Sequence, residues 1–505
     1  MSATAGIAWA LTPFQIDVAT AINNGLAYME STGAYSNPSS LGWEGASGLA
    51  MEALLEKRAS GNPSDPPQGY AGATAAEQGY LRTAATYIIN NGVTGGGRGF
   101  YAYTDGSWLF ALSSYALSGG PDQSGLGGAA TTTIKAAIDG MVNRIVANQN
   151  VNGYWCYTAG NCDDSSTTQF ASAGLYAASI FYQSNKSGDG GVPFADPAQL
   201  AKVNTALQNA RNAYATNATQ GSDSPSGCNV LGGTLIPGSN PSANYPQGTL
   251  SATEHGHGYH EVDSFYYPSL PQTASGIYVQ LFGGATVNTP MVQSYMEWVK
   301  DHYRWDNLSA FSPWGNNTYG YYLWSSFKAM ELIRQAAVPV NAGNIGPNDF
   351  GTLPAASAPA CQYREVNKNP AAYPQVPLFG NGGVGYYAAE TAGQYFDYAH
   401  QILTMQCANG SFTCGTYPGS WGDAFNTSHN AYSLLVLQRA TGVVTQVCDV
   451  NGDGEIDKLD LALITKSIGT HVGPTDVRNP TRSGIVSITD ARQCAVVCTH
   501  PLCVH

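Results

Sequence analysis

The sequence predicts an all-α protein made of paired helices, followed by a small helical module at the C-terminal end. Apolar residues recur at helical spacing in stripes that lie about 60–70 residues apart along residues 1–446. A Gly-rich loop and a second helical segment rich in Ala, Ser, Leu and Tyr follow each stripe. From residue 447 the pattern changes to two short helices, each preceded by a polar loop. We therefore predict two domains, 1–446 and 447–505.

The first stripe begins behind Thr12-Pro13, because Thr caps a helix and Pro suits its first turn. The six stripes predict one face of six helices and are Ile16/Ala19/Ile22/Leu26/Met29, Leu81/Ala84/Ile88, Ile134/Ile138/Met141/Ile145, Leu200/Val203/Leu207, Val292/Tyr295/Val299 and Phe396/Ala399/Ile402. The second helices are predicted near residues 44–57, 107–118, 166–183, 264–282, 319–336 and 427–440. Small residues such as those at 171–174 suit helices with neighbours on both sides. Two inserted loops, 217–262 and 337–385, are too long for simple connections and are expected to build a surface.

Two of the Gly-rich loops carry the pattern Gln-x-x-x-Gly-x-Trp/Phe. They are Gln149 to Trp155, which contains Gly153, and Gln406 to Phe412. The pattern resembles the repeat of the terpene cyclase and protein prenyltransferase superfamily. The resemblance implies an (α/α)6 toroid, in which six outer helices surround six inner ones. In physical terms, Gln caps a helix end, Gly allows a left-handed turn, and the aromatic ring fills the gap to the next pair.

The activities of that superfamily do not carry over to these residues. Its cyclases protonate an alkene with an Asp-x-Asp-Asp motif, and residues 1–446 contain none; Asp163-Asp164 is the nearest pattern. Its prenyltransferases hold zinc with Asp, Cys and His. His429 resembles the His of that set, but no Asp-x-Cys precedes it, and a disulfide-bonded cysteine cannot bind zinc as a thiolate. We therefore lean towards a protein that is not an enzyme.

The C-terminal module contains the most specific motif of the chain. In residues 449–460, oxygen-bearing side chains stand at loop positions one, three, five, nine and twelve, and a glycine, Gly454, stands at position six. This is the spacing of an EF-hand calcium loop, where position seven binds through its backbone carbonyl. The predicted calcium ligands are Asp449, Asn451, Asp453, Glu455, Asp457 and Asp460.

Asp at position twelve resembles the dockerin family of calcium-folded adhesion modules. A weaker second loop runs from Asn479 to Asp490 and keeps Gly484, but Thr481, Ser483 and Ser487 replace first-loop donors. Because ligand charge largely sets calcium affinity, we expect one strong Ca²⁺ site and a weak or empty second loop. The resemblance implies a protein partner, which could be another copy of the chain.

Composition indicates an extracellular or cell-surface protein. The net charge of −13 argues against nucleic acid or an anionic membrane as partner, and no segment is long and apolar enough to span a bilayer. The first ten residues lack a basic stretch and have too short an apolar run to be a signal peptide. The ten cysteines predict disulfides, with Cys448 joined to Cys494 or Cys498. The remaining near pairs are Cys156/Cys162 and Cys407/Cys414, with Cys228 and Cys361 left over.

Three functions stay open from the sequence. The first is a secreted scaffold that self-assembles, for example into filaments, through its tail. The second is a carbohydrate-active lyase or hydrolase, because acids stand near the starts of second helices: Asp105, Asp164, Asp263 and Asp423. The alternative is that Asp164 and Asp263 only cap their helices. The third is binding of a small ligand or a metal by the toroid cavity or by the loop containing His255, His257 and His260, which could instead have only a structural role.

Overall fold

The structure is a computed structural model in which fourteen helices form, with no β-strand among the residues that it describes. Those residues are 11–41, 45–58, 67–221, 256–259, 270–301, 303, 319–336, 338–350, 369–415, 426–440, 448, 450, 456–472, 477–480, 485–496, 498 and 503. The helices are α1 (Pro13–Ser31), α2 (Ala46–Leu55), α3 (Ala75–Gly92), α4 (Ala102–Leu117), α5 (Ile134–Ala147), α6 (Ser165–Phe181), α7 (Pro197–Gly221), α8 (Leu270–Phe282), α9 (Pro290–Asp301), α10 (Tyr319–Ala336), α11 (Gln394–Met405), α12 (Asn426–Leu437), α13 (Lys458–Lys466) and α14 (Ile488–Val496).

Two patterns of burial alternate along the first eight helices. There the odd-numbered helices bury one stripe and expose the opposite face, as α5 does with its isoleucines. Helix α9 exposes its opposite face only in part, and α11 buries ten of its twelve residues. Even-numbered helices are buried almost all round: every residue of α2 is buried, and α6 leaves only Tyr176 and Ile180 partly exposed. A helix that is buried all round lies inside the molecule, so α2, α4, α6, α8, α10 and α12 form an inner layer.

The inner helices contact one another in a cyclic order. Helix α2 packs against α4, α4 against α6, α6 against α8, α8 against α10, α10 against α12, and α12 again against α2. The closest approach is between α4 and α6, where a Cβ atom on Gly106 would overlap the carbonyl oxygen of Phe170. Glycine is therefore required at this crossing, because the two backbones touch.

The prediction of helix pairs is confirmed, with local corrections. Four stripes, of α3, α5, α9 and α11, are buried as predicted, and in α7 only Leu200 is partly exposed. In α1 the predicted stripe is wrong at its start: Ile16 is 50% exposed, while Phe14 and Val18 are buried. The reason is that the 3.6-residue period runs through Phe14 and Val18, which places Ile16 on the solvent side. The second inner helix, α4, begins at Ala102, not at 107.

The two glutamines of the repeated loop pattern each join neighbouring outer helices. Gln149 follows α5, and its Nε2 donates to the carbonyl oxygen of Ala206 in α7 at 2.9 Å. Gln406 follows α11, and its Nε2 donates to the carbonyl oxygen of Ala21 in α1 at 2.8 Å. The second bond links the last helix pair to the first helix. Each of these two glutamines therefore connects the outer helix that it follows to the next outer helix, and does not only cap the helix that it follows.

The glycine and the aromatic residue of each pattern behave as predicted. Gly153 has φ of +93° and Gly410 has φ of +94°, so both use the left-handed region. A Cβ atom on Gly153 would lie 2.5 Å from the carbonyl oxygen of Asn209, so the next outer helix presses on this turn. Trp155 and Phe412 are fully buried.

Aromatic rings fill the centre of the inner layer. Phe170 of α6 lies 5.7 Å, between ring centroids, from Trp324 of α10, although α8 separates these helices around the cycle. Trp324 stacks on Tyr432 of α12 at 5.3 Å, and Tyr103 of α4 meets Phe170 at 4.8 Å. Rings from four inner helices thus meet across the centre, which is occupied by side chains at this level.

Candidate calcium site and other candidate sites

Asp457 and Asp460 are the two predicted calcium ligands that the structure describes, and both lie at the start of α13. Asp457 is the N-cap residue, and its Oδ1 accepts the Leu459 N–H at 2.6 Å. Asp460 reaches back, so that its Oδ2 accepts the Asp457 N–H at 2.9 Å and its Oδ1 accepts the Val450 N–H at 2.6 Å. This capping box fixes both carboxylates, and the bond from Val450 holds the beginning of the loop against the helix start.

The second oxygen of Asp457 has the character of a cation ligand. Asp457 and Asp460 are both 0% exposed, and Asp457 Oδ2 accepts no hydrogen bond from the described residues. A buried carboxylate oxygen without a partner is costly, and a bound cation removes that cost. These residues therefore fit Ca²⁺. Asp449, Asn451, Asp453 and Glu455 lie outside the described residues, and among the residues described no group of three or more His, Cys, Asp or Glu could hold a metal.

The second loop ends in the same hydrogen-bonding arrangement. Asp490 Oδ2 accepts the Ser487 N–H at 2.7 Å, as Asp460 accepts the Asp457 N–H. Ser487 Oγ accepts the Thr489 N–H at 3.2 Å, as Asp457 accepts the Leu459 N–H. The two helix starts thus repeat each other, with Ser487 in place of the Asp457 carboxylate. Thr481, Ser483 and Gly484 lie outside the described residues.

The two C-terminal helices share a small core that disulfides reinforce. Helix α13 packs against α14 around Ile456, Ile464 and Val486. Cys448 is bonded to Cys494, which selects one of the two predicted pairings and closes a separation of 46 residues. The other bonds are Cys156–Cys162, Cys407–Cys414 and Cys498–Cys503. Cys228 and Cys361 lie outside the described residues.

Exposed aliphatic residues are concentrated in α13, at the start of α14 and in the segments beside these two helices. We call this set the apolar face, and its members share exposed aliphatic side chains: Leu459, Leu463, Ile468, Ile485 and Ile488. Of the twelve exposed large hydrophobic residues in the described chain, these five fall within thirty positions. Leu459 and Leu463 are one turn apart on α13, so they lie on one side of it. Such clustering is typical of a docking surface.

His257 is the one histidine of the predicted histidine site that the structure describes, and it has a structural role. His257 is buried; its Nε2 lies 2.7 Å from the Tyr154 hydroxyl and its Nδ1 lies 2.7 Å from the carbonyl oxygen of Gly258. The ring also stacks on Tyr214. Burial lowers the pKa of His257 to about 4. Since both ring nitrogens have partners, His257 has none left for a metal. His255 and His260 lie outside the described residues.

The acids near the inner helix starts have structural partners. Asp164 caps α6, and its Oδ1 accepts the N–H groups of Ser166 and Thr167. Asp105 accepts Arg144 Nη2 at 2.5 Å, and burial raises the pKa of its carboxyl group. The capping and ion-pair roles account for both. Asp263 and Asp423 lie outside the described residues.

His429 is likewise part of the core. Its Nε2 lies 3.0 Å from the carbonyl oxygen of Phe412, and burial lowers its pKa to about 4. It thus fixes the aromatic turn of the last repeat. Cys407 is disulfide-bonded to Cys414, so it is not a thiolate ligand.

Lys328 was not predicted from the sequence and is the least expected group of the inner layer. Its side chain belongs to α10, its Nζ is buried without a hydrogen-bond partner, and it lies 3.8 Å from the Trp324 ring and 4.2 Å from the Tyr278 ring. Burial lowers the pKa of this amine well below its usual value. In the sequence, Lys328 stands between Phe327 and Ala329, and nothing in that local pattern predicts that its side chain points inwards.

Comparison with known proteins adds no further assignment. No family model, no curated protein and no solved structure matches the chain. None of the described helices is both long and apolar enough to cross a bilayer. Function must therefore be inferred from the residues of the chain itself.

Proposed function

We propose that this chain is a secreted, non-catalytic assembly protein whose calcium-loaded, dockerin-like tail docks onto a neighbouring subunit or a surface protein. The observation that carries the proposal is the buried Asp457 Oδ2, which has no partner and stands beside Asp460 in a loop with EF-hand spacing. The four disulfides agree with an oxidising, extracellular setting.

Calcium would be held by the first loop through Asp449, Asn451, Asp453, Glu455, Asp457 and Asp460. A bound Ca²⁺ supplies positive charge at the start of α13. Asp457 and Asp460 already cap that helix, so binding and helix formation stabilise each other. Ser487 offers one hydroxyl where Asp457 offers a carboxylate, which is why we assign the strong site to the first loop alone.

The apolar face is the proposed docking surface. Leu459, Ile485 and Ile488 lie near the starts of α13 and α14, so an ordered calcium loop would fix the positions of these three residues. Exposed aliphatic residues suit the centre of a protein interface, and the exposed Lys458 and Lys466 suit its polar rim. A second copy of this chain is one partner that such a surface could hold, and head-to-tail contacts of this kind would give extracellular polymers.

The helical body is proposed to be an (α/α)6 toroid that serves as a rigid block. The cyclic contacts of the inner helices and the Gln406–Ala21 bond between last and first helices support this arrangement. Aromatic rings fill its centre, Asp105 forms an ion pair with Arg144, and Asp164 caps α6. These features favour a structural role for the body over carbohydrate chemistry.

The calcium assignment is tested by isothermal titration of Ca²⁺ into the full chain, comparing Asp460→Asn with Asp490→Asn. Both residues make the same bond to the start of a helix, so both variants lose a similar cap. We expect one tight site in the parent chain and in Asp490→Asn, and a loss of at least tenfold in affinity in Asp460→Asn. Equal effects of the two changes would overturn the assignment.

The docking assignment is tested by Leu459→Asp combined with Leu463→Asp, with Leu378→Asp as control. Leu378 is 42% exposed, similar to Leu463 at 38%, but it lies in the helical body. The double variant is expected to abolish calcium-dependent association while it still binds calcium, and the control is expected to associate normally. Association that survives the double change would show that the apolar face is not the docking surface.

A further inference from the structure

A small pocket opens between α3 and α4, beneath the glycine-rich turn of residues 95–99. Its volume is about 70 Å³, which is room for roughly five water molecules or for one edge of a ring whose remainder stays in solvent. Gly96, Arg98 and Gly99 lie on the exposed side, and Trp108 lies on the buried side. The pocket is therefore open to solvent at one end and closed by an aromatic ring at the other.

The floor of the pocket is a corner of two aromatic rings. Tyr87 and Trp108 have ring centroids 5.7 Å apart at an interplanar angle of 85°. The Trp108 Nε1–H donates to Ser47 Oγ at 2.7 Å, which fixes the indole. Aromatic faces carry partial negative charge and attract weakly positive C–H groups. A ligand with a C–H face is suited to this corner.

Two polar groups on the pocket wall have no hydrogen-bond partner in the part of the chain that the structure describes. The Tyr87 hydroxyl makes no hydrogen bond with the described residues. Asn91 donates through Nδ2 to the Tyr87 carbonyl oxygen at 2.7 Å, which leaves its Oδ1 without a partner. The Tyr87 hydroxyl can donate or accept a hydrogen bond, and Asn91 Oδ1 accepts one. Together they match a ligand hydroxyl group, which both donates and accepts.

Two charged residues line the pocket: Asp105, which forms a fixed ion pair with Arg144, and Arg98, which lies on the exposed side. Arg144 donates to both carboxylate oxygens of Asp105, and it also donates to the carbonyl oxygens of Gly92 at 2.6 Å and Val93 at 2.8 Å. The pair therefore anchors the end of α3 beneath the turn. An anionic ligand is disfavoured because the charges of the Arg144–Asp105 pair cancel and Asn91 Oδ1 would repel an anion, while solvent screens the exposed Arg98.

We propose that this pocket binds the terminal ring of a neutral saccharide. A sugar ring combines a C–H face for the Tyr87–Trp108 corner with hydroxyl groups for Tyr87 and Asn91, and the open end lets the rest of a glycan extend into solvent. The pocket lies outside the C-terminal module, so this binding does not depend on calcium.

The experiment is saturation-transfer NMR on the full chain with glucose, galactose, mannose, xylose and N-acetylglucosamine, with glucuronate as the anionic comparison. We expect at least one neutral sugar to bind and glucuronate to bind more weakly. Tyr87→Phe and Asn91→Ala should each weaken binding about 3- to 10-fold, since each removes one hydrogen bond. Tyr80→Phe, on the same helix but outside the pocket, should leave affinity unchanged.

Three results would overturn the proposal. The first is the absence of saturation transfer to every neutral sugar at 20 mM (about the weakest affinity that is useful for such a pocket), which would mean that the pocket holds water only. The second is equal or tighter binding of glucuronate. The third is sugar binding that Tyr87→Phe and Asn91→Ala leave unchanged, which would place the sugar elsewhere.

Discussion

The turn at Gly410 closes the series of helix pairs, and substitution there should be costly. A Cβ atom on Gly410 would overlap the carbonyl oxygen of Asn24, well inside the 3.0 Å that real Cβ atoms keep, and φ at this position is +94°. Left-handed strain costs an L-residue about 1–2 kcal/mol, and overlap in a packed region costs about 1–3 kcal/mol more. We therefore expect Gly410→Ala to lower the free energy of unfolding by about 3 kcal/mol.

Two other glycines provide matched comparisons. Gly153→Ala should cost a similar amount, because φ there is +93° and a Cβ atom would lie 2.5 Å from the Asn209 carbonyl oxygen. Gly97→Ala should cost only about 1 kcal/mol, because φ is +80° but nothing lies within 4 Å. The assay is urea unfolding followed by circular dichroism at 222 nm. If Gly410→Ala destabilises no more than Gly97→Ala, the last turn does not press on α1 and the ring of helices is open.

Three further predictions concern buried groups and one disulfide. Lys328→Met should raise the free energy of unfolding at pH 7 by about 1–3 kcal/mol, because it removes an unsatisfied buried amine. The native pKa of Lys328 is lowered, so the parent should gain stability as pH rises towards the pKa that this amine has in the unfolded state. Lys328→Met should remove that gain, and a variant with the same dependence of stability on pH as the parent would refute this. Burial, and then the charge of Glu56, raise the pKa of the Glu52 carboxyl group, so the parent protein should lose stability as pH rises above 4.5. In thermal unfolding, Glu52→Gln should therefore be more stable than the parent at pH 8 but not at pH 4. Replacing Cys448 and Cys494 by Ser should destabilise the C-terminal module by about 4 kcal/mol, from the entropy of a loop of 46 residues, and a loss below 1 kcal/mol in denaturant titration would contradict that figure.

The helix pairs could be predicted from the sequence because their signal is local. An outer helix shows its stripe within a dozen residues, and the Gln-x-x-x-Gly-x-aromatic turn at Gly153 needs its left-handed φ whatever surrounds it. The capping role of Asp164 was one of two open interpretations, and its short bonds to Ser166 and Thr167 are equally local. In these cases the interacting residues are only a few positions apart.

Other features could not be predicted because their partners are distant in the sequence. The pattern around His257 left a structural role and metal binding open, and its ring is held by Tyr154, in the loop of the preceding helix pair, and by Tyr214 in α7. The inward position of Lys328 depends on how α10 is rotated against α8, which no local pattern encodes. The pocket beside Tyr87 likewise exists only where α3, α4 and the glycine-rich turn meet.

Calcium-dependent association of the full chain is the most direct test of the proposed function. Size-exclusion chromatography with electron microscopy would compare the purified chain in 1 mM CaCl₂ and in EGTA (concentrations of about this order span the affinities of EF-hand-type sites). We predict oligomers or fibres in calcium that disperse to monomers in EGTA, and monomers in both conditions for Asp460→Asn. A parent chain that stays monomeric with and without calcium would contradict assembly of like with like through the tail.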